Sequence, residues 1–381
     1  MHYLDHAATT PVLPEVKAAL LAFLDEDFGN PSSVHAFGRR AKEAVEDARE
    51  RVAAAIGASP TEITFTGGGT EADNLGIKGA LHKRRGNGNH LVVPEFEHHA
   101  VLHTVDALER AGLEVTRLPV PADGVMEPEA VAVAVRPSTL LVSVMAVNNE
   151  IGTVQPLREI VAAVKDRNAL TLVHTDAVQA LGNIPVDVRA WGVDLAAFSA
   201  HKLGGPKGVG ALYVRAGVPV EPLLHGGGHE RGLRSGTLNV PGIAALGVAA
   251  AIAAREVEEK TARLRPMRDR LLDGLRASIP DLLVNGDIER RVPGNLNVAV
   301  PGAEGETLLL LLDGEGIACS SGSACQSGAV DPSHVLLALG LSKDLANASL
   351  HFTLGRSSTE DDVDAVLEAL PRIVSVARRA A

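Results

Sequence analysis

Two cysteines in 381 residues cannot staple a chain of this length, so a disulfide framework is excluded and free thiols in a reducing compartment are expected. Aromatic residues make up 3%, with a single tryptophan, which argues against stacking platforms for single-stranded nucleic acid. Positive charge is short as well. Lys and Arg number 36 against 47 Asp and Glu, a net charge of −11, so neither nucleic acid nor an anionic membrane is expected as a direct partner. The longest nearly apolar run, Ile243 to Ala254, is too short and too rich in alanine to span a bilayer. The start, Met1-His2-Tyr3-Leu4-Asp5, has no basic stretch followed by an apolar one, and a cytoplasmic location is the expectation. Solenoid-period repeats and low-complexity tracts are also missing.

What is present is a large apolar fraction, 46%, in a chain long enough for two domains. From about residue 60 to 215, short Val/Ile/Leu runs alternate with amphipathic segments. Glu62–Phe65, His90–Val93, Glu114–Leu118, Leu140–Val147, Thr171–His174 and Leu195–Ser199 read as buried strands. Thr70–Arg85, Ala100–Ala111 and Leu157–Arg167 read as helices between them. This alternation predicts an α/β fold with a mostly parallel sheet covered on both faces, in which ligands sit beyond the carboxyl ends of the strands. A long helix is expected over Ile243 to about Ile279, leading to a smaller α/β unit, and a terminal helix over Asp361–Ala380.

Polar clusters fall at those strand ends. Thr66-Gly67-Gly68-Gly69-Thr70-Glu71 is suited to hold a phosphate against backbone N–H groups at a helix start, or is an ordinary turn with a Thr cap. Asp176 could pair with a protonated pyridine nitrogen, although taken alone it reads first as a helix N-cap. Lys202, in Ser199-Ala200-His201-Lys202, sits after a buried strand and before a Gly-Gly-Pro turn. That place suits a Schiff-base amine, with Ser199 and His201 near a phosphate; the alternative is an exposed loop lysine. Of the adjacent His98 and His99, His98 is the candidate to stack on a pyridine ring and move protons. Cys325 lies among Ser and Gly in Ser320–Gly328, as an accessible nucleophile would. Cys319 follows apolar residues and reads as structural. No zinc-like spacing appears, so no metal is expected. Arg356 could clamp a carboxylate with two parallel hydrogen bonds, or be a surface arginine.

These motifs resemble a known family. Leu4–Pro11, Phe28-Gly29-Asn30-Pro31-Ser32-Ser33, the Gly-rich loop through Asn74, Val147–Gly152, His229–Thr237 and Ser320–Cys325 are similar to the cysteine desulfurases of the nitrogen-fixation and iron–sulfur-cluster assembly type. These are class V aminotransferase-family, fold-type-I enzymes dependent on pyridoxal 5'-phosphate (PLP). The resemblance runs from residue 3 to about 365. It implies a large domain with a mostly parallel seven-stranded sheet, residues 13–250. Residues 1–12 and 251–381 would form a smaller α/β domain carrying the cysteine loop.

The resemblance also implies roles. Lys202 holds PLP covalently, Asp176 pairs with the ring nitrogen, Gln179 meets the ring hydroxyl, and His98 stacks on the ring. Gly69, Thr70, Ser199 and His201 take the phosphate, joined by Thr237 of a second copy in a homodimer. Asn149 and Arg356 receive the substrate carboxylate. L-cysteine would become L-alanine, with its sulfur left as a persulfide on Cys325 for a protein acceptor, either an iron–sulfur scaffold or a tRNA-thiolation protein. Against the usual pattern, Gly69 stands for Ala, Ala200 for Gly, Val178 for Thr, and His6 for Tyr, Asn or Ser. A transaminase or selenocysteine lyase is the rival within PLP chemistry, and a non-catalytic scaffold the rival outside it. Cys325 and the retained Lys202, Asp176 and His98 separate these.

Overall fold

The computed structural model describes residues 1–321 and 332–380. Its strands in chain order are β1 (His2–Tyr3), β2 (Ile63–Thr66), β3 (His90–Pro94), β4 (Glu114–Leu118), β5 (Thr139–Ser143) and β6 (Leu172–Asp176). They continue with β7 (Leu195–Ser199), β8 (Gly210–Val214), β9 (Leu283–Val284), β10 (Asn295–Ala299), β11 (Ile317–Ala318) and β12 (Ser349–Thr353). The principal helices are α1 (Pro14–Ala22), α2 (Ala36–Ala55), α3 (Gly69–Arg84), α4 (His99–Arg110), α5 (Pro128–Val133), α6 (Leu157–Arg167), α7 (Val188–Trp191) and α8 (Val240–Ser278). After them come α9 (Gly305–Gly314), α10 (His334–Ala338), α11 (Lys343–Asn347) and α12 (Glu360–Ala380).

Seven strands form one sheet in the order β2-β8-β7-β6-β5-β3-β4. All its pairings are parallel except those of β8, which is antiparallel to both β2 and β7. Chain order reverses between β3 and β5, and such a switch opens a crevice at the strand ends. Every residue of β3, β5, β6, β7 and β8 is buried, as expected for strands covered on both faces.

One face packs α3 and α4 through Leu75, Ile77, Val101 and Val105. The other packs α2, α6 and the first half of α8 through Val45, Val52, Ile160, Val164, Ile243 and Leu246. A separate core surrounds the three-stranded sheet β12-β10-β9. There α12 buries Val363, Val366, Leu370, Ile373, Val374 and Ala377, a helical stripe, under Leu350 and Phe352 of β12. Glu360, Asp361 and Asp362 in its first turn and Arg378 and Arg379 in its last complement the helix dipole.

Most of the expected elements occur within a residue or two. The run Leu140–Val147 is strand only to Ser143. Beyond it Val144 N and Ala146 N still bond to carbonyls of His174 and Asp176, so the run is apolar because it is buried. Strand β8 was not anticipated. It returns from β7 through a short 3₁₀ turn and a Gly-rich turn with no α-helix between, and so lies outside an alternating strand–helix pattern. α8 has the length and composition to cross a membrane, unlike the short run read from the sequence, but 61% of its most apolar window is buried in the core.

Candidate active site

The carboxyl ends of β2, β3, β5, β6 and β7 converge on a cavity of about 300 Å³. At the end of β2 the loop turns through Gly68, whose φ of +150° lies where a side chain would be strained. β8 leaves room for that loop by carrying Gly210. A Cβ there would lie 2.5 Å from Phe198 O and 2.7 Å from the carbonyl carbon of Gly68. α3 then starts at Gly69 with no side-chain cap, and Gly69 and Thr70 line the cavity. Its free N–H groups are an anion seat. Ser199, the last residue of β7, and His201, in the 3₁₀ turn after it, line the same cavity.

Lys202 ends that turn. Its Nζ donates to the carbonyls of Ala7 and, at 2.8 Å, Ala8. Asp176 is the last residue of β6 and is buried. No helix follows it. Its Oδ1 accepts Val178 N at 2.9 Å, so the carboxylate holds a turn and is no N-cap. Burial pushes its pKa up to about 6, opposed by the Val178 N–H and the Lys202 charge. Gln179 is buried beside it, with Nε2 donating to Ala7 O at 2.9 Å. His98 does act as a helix cap, on α4: its Nδ1 accepts Ala100 N at 3.1 Å. That bond leaves the ring proton on Nε2. Burial, then Lys202, lowers the His98 pKa to about 4, so the ring is neutral at pH 7.

Asn148 holds the loop after β5, accepting from Glu150 N and Ile151 N and donating to Phe96 O. This leaves Asn149 lining the cavity, its buried Oδ1 without a partner. Asn149 also lines a larger cavity of about 600 Å³, which shares Ala7, Gln179 and Lys202 with the first. Arg356 belongs to this larger cavity. Its guanidinium is bound by Glu256 at 3.1 and 3.3 Å and lies 3.9 Å from Glu15.

One predicted residue stands elsewhere, and another is outside what the structure describes. Thr237 is exposed and lines neither cavity. Cys325 lies outside the described residues. Cys319 is a free thiol just past β11, and burial, then Asp5, pushes its pKa up to about 12, which makes it a poor nucleophile.

The family profile of the class-V aminotransferases matches residues 2–366. The chain belongs to the aminotransferase class-V family. It is 48% identical to a cysteine desulfurase IscS of Clostridium botulinum over 378 residues, covering 99% of this chain and 95% of that one. A solved NifS-like protein superposes with a TM-score of 0.93 at 40% identity, covering 99% and 100% of the two chains. A structure of SspA in complex with cysteine matches with a TM-score of 0.81 at 35% identity, covering 93% of this chain and 99% of that one. The fold is that of the family's fold-type-I PLP enzymes.

The residues of the smaller cavity fit that cofactor. An uncapped helix N-terminus, two hydroxyls and an imidazole suit a dianionic phosphate. A buried carboxylate with a pKa raised to about 6 suits a ring N–H, and a lysine lines the same cavity. Sequence reasoning missed four buried residues that line this same cavity: Asp73, Glu150, Ser320 and His351. Burial lifts the Glu150 pKa to about 8, against its bond from Ser333, and drops that of His351 to about 3. Glu150 falls in the motif Val147–Gly152 and Asp73 in the loop through Asn74, but neither is assigned a role by the sequence, and no local signal marks Asp73 as buried.

Proposed function

We propose that this family member is a cysteine desulfurase that converts L-cysteine and a Cys325 thiol into L-alanine and a Cys325 persulfide. The observation that carries this reading is the meeting of Lys202, Asp176, Gln179 and neutral His98 at one cavity, in a chain nearly half identical over its length to proteins named for that activity. PLP, when bound, would supply an electron-accepting ring that lets the substrate Cα give up its proton and so makes the neighbouring Cβ–sulfur bond breakable.

The chain's residues divide the rest of the work. Gly69, Thr70, Ser199 and His201 bind the phosphate, and Asp176 and Gln179 orient the ring by its nitrogen and hydroxyl. Lys202 holds the cofactor in the resting enzyme and moves the Cα proton once cysteine has taken its place. Asn149 and Arg356 take the substrate carboxylate, for which Arg356 must leave Glu256. His98, neutral with its proton on Nε2, would stack on the ring and pass a proton to or from the substrate. The Cys325 thiolate attacks the substrate sulfur. The carbon–sulfur bond breaks with its electrons on carbon, a sulfur–sulfur bond forms on Cys325, and protonation of the carbon side yields alanine.

The enzyme works as a homodimer that lends Thr237 to its partner's phosphate site. In support, Glu230 is buried in a two-point pair with Arg49 at 2.7 and 2.8 Å, which fixes the arm leading to the exposed Thr237. Leu24, Phe28 and Val34 also form an exposed apolar stretch suited to a second copy. A division into residues 13–250 and residues 1–12 with 251–381 is supported by the second core, built from Leu4 and residues between 264 and 377, although Val292, Val335, Leu336, Leu339 and Ala346 pack in the first. A cytoplasmic location and a protein acceptor, an iron–sulfur scaffold or a tRNA-thiolation protein, complete the reading.

Cys325→Ala tests it. The variant is expected to bind PLP and cysteine yet release no sulfide, measured by methylene-blue assay and by the visible spectrum. Wild-type turnover in that variant would remove the persulfide step.

A further inference from the structure

Behind Asp176 the fold buries a second acid that the reaction above does not use. β6 points His174 and Asp176 to the same face of the sheet, two residues apart. α3, packed over that face, supplies Asp73, which is 1% exposed and lines the smaller cavity. One turn on, α3 carries Gly76. A Cβ there would stand 3.2 Å from His174 Cδ2, so the glycine makes the seat for the imidazole.

The ring is fully buried and fixed at one end. His174 Nδ1 lies 2.8 Å from Ser143 Oγ of β5. At the other end, His174 Nε2 and Asp73 Oδ1 face each other at 3.5 Å. Neither atom has a hydrogen-bond partner, so each must find it in the other or leave a buried polar atom unsatisfied.

The surrounding charges decide where the proton goes. Asp73 is faced by Asp176 from β6 and by Glu97 from the loop after β3, and Asp176 also feels Lys202 from the turn after β7. Three buried acids around one amine cannot all ionise. Burial raises all three, and Asp73 and Glu97 stand well above the usual carboxylate range. Asp176 is favoured as the anion by the Val178 N–H and Lys202. Burial pulls His174 down to about 3, so the ring is neutral.

We propose that Asp73 and His174 are positioning residues: Asp73 remains a protonated acid that donates to His174 Nε2, with Nδ1–H on Ser143. The cluster's negative charge is thereby confined to Asp176, facing the cofactor nitrogen. This rests on the reading that PLP binds with its nitrogen at Asp176. Without His174, the Asp73 hydroxyl turns to Asp176 and weakens the carboxylate that the ring nitrogen needs. Asn at position 73 keeps a neutral donor, so the charge stays where it is.

The test uses infrared spectra of the apoenzyme and pH titration of the visible absorption of the holoenzyme. Asp73→Asn is expected to lose one protonated-carboxyl band at neutral pH while keeping the wild-type absorption midpoint. His174→Phe is expected to lower that midpoint and to weaken PLP binding about tenfold, and His174→Gln to restore both. Full retention of the carboxyl bands in Asp73→Asn, or a lowered midpoint in that variant, would place an ion at position 73 and overturn the proposal. So would an unchanged midpoint and PLP affinity in His174→Phe. Failure of the wild type to gain visible absorption with PLP would sink the cofactor reading itself, a separate outcome. Should His174→Phe fail to fold, the two Asp73→Asn measurements decide alone.

Discussion

The two halves of the site are built differently. Asp176, Gln179 and Ser199 stand on or next to the ends of β6 and β7. They are buried, and backbone groups hold the two polar side chains at 176 and 179. Arg356 stands three residues past β12. Its side chain is 43% exposed and is already engaged by Glu256 and near Glu15. The first half is preorganised, and burial sets its proton affinities before any ligand arrives. In the role proposed for it, the second half would exchange one carboxylate for another, selecting a ligand by competition and adding little net energy. An exposed pair of this kind contributes roughly 0–1 kcal/mol.

Loss of the buried half should be catastrophic. Lys202→Ala is expected to lower kcat by a factor on the order of a thousand or more and to abolish the visible absorption of the lysine-bound cofactor. A variant with an unchanged spectrum would show that the two halves do not differ as argued.

The same burial makes the stability of the apoenzyme depend on pH. His174 and His351 have pKa values lowered to about 3, so the folded state binds fewer protons than the unfolded chain below pH 6.5. Their contribution is complete above pH 6.5 and is lost as pH falls toward their folded values. Asp176 works the other way, since its raised pKa favours the folded state below pH 4 and its contribution fades as pH rises through about 6. Glu150, Asp73 and Glu97, also raised by burial, act in the same direction as Asp176, so the histidine contribution is read by comparing variants. Between pH 6.5 and 4 the midpoint of thermal unfolding of His351→Phe should fall less, or rise more, than that of wild type. A slope equal to wild type would contradict the assignment.

Smaller effects belong to the exposed half. Arg356→Ala is expected to raise KM for cysteine by no more than about fivefold with a lesser change in kcat. Glu256→Gln removes the competing carboxylate and should lower KM a few-fold with kcat unchanged. A rise in KM for Glu256→Gln would mean that Glu256 holds Arg356 ready for substrate, the reverse of a competitor.

The buried half was largely legible because each strand in the repeating pattern ended in a residue with recognisable chemistry. Asp176, Lys202, Ser199 and His98 needed only their strand to be placed. Arg356 was legible as a guanidinium past a strand, but not its engagement with Glu256, which α8 brings in from a hundred residues away. Asp73 was invisible for a different reason. It sits between Ala72 and Asn74 in a polar stretch of α3, and only the packing of that helix on β6 shows it to be inside. β8 was missed because it breaks the strand–helix alternation. Position 69 carried a clue in hindsight: a Cβ there would meet Val178 Cγ2 at 2.7 Å, so Gly69 and Val178, two departures from the family pattern, fit each other.

The most direct measurement is borohydride reduction of the PLP-loaded protein followed by peptide mass mapping. The account predicts a phosphopyridoxyl group on Lys202 in near-stoichiometric amount. Labelling of another lysine, or none under conditions where cysteine is turned over, would contradict it.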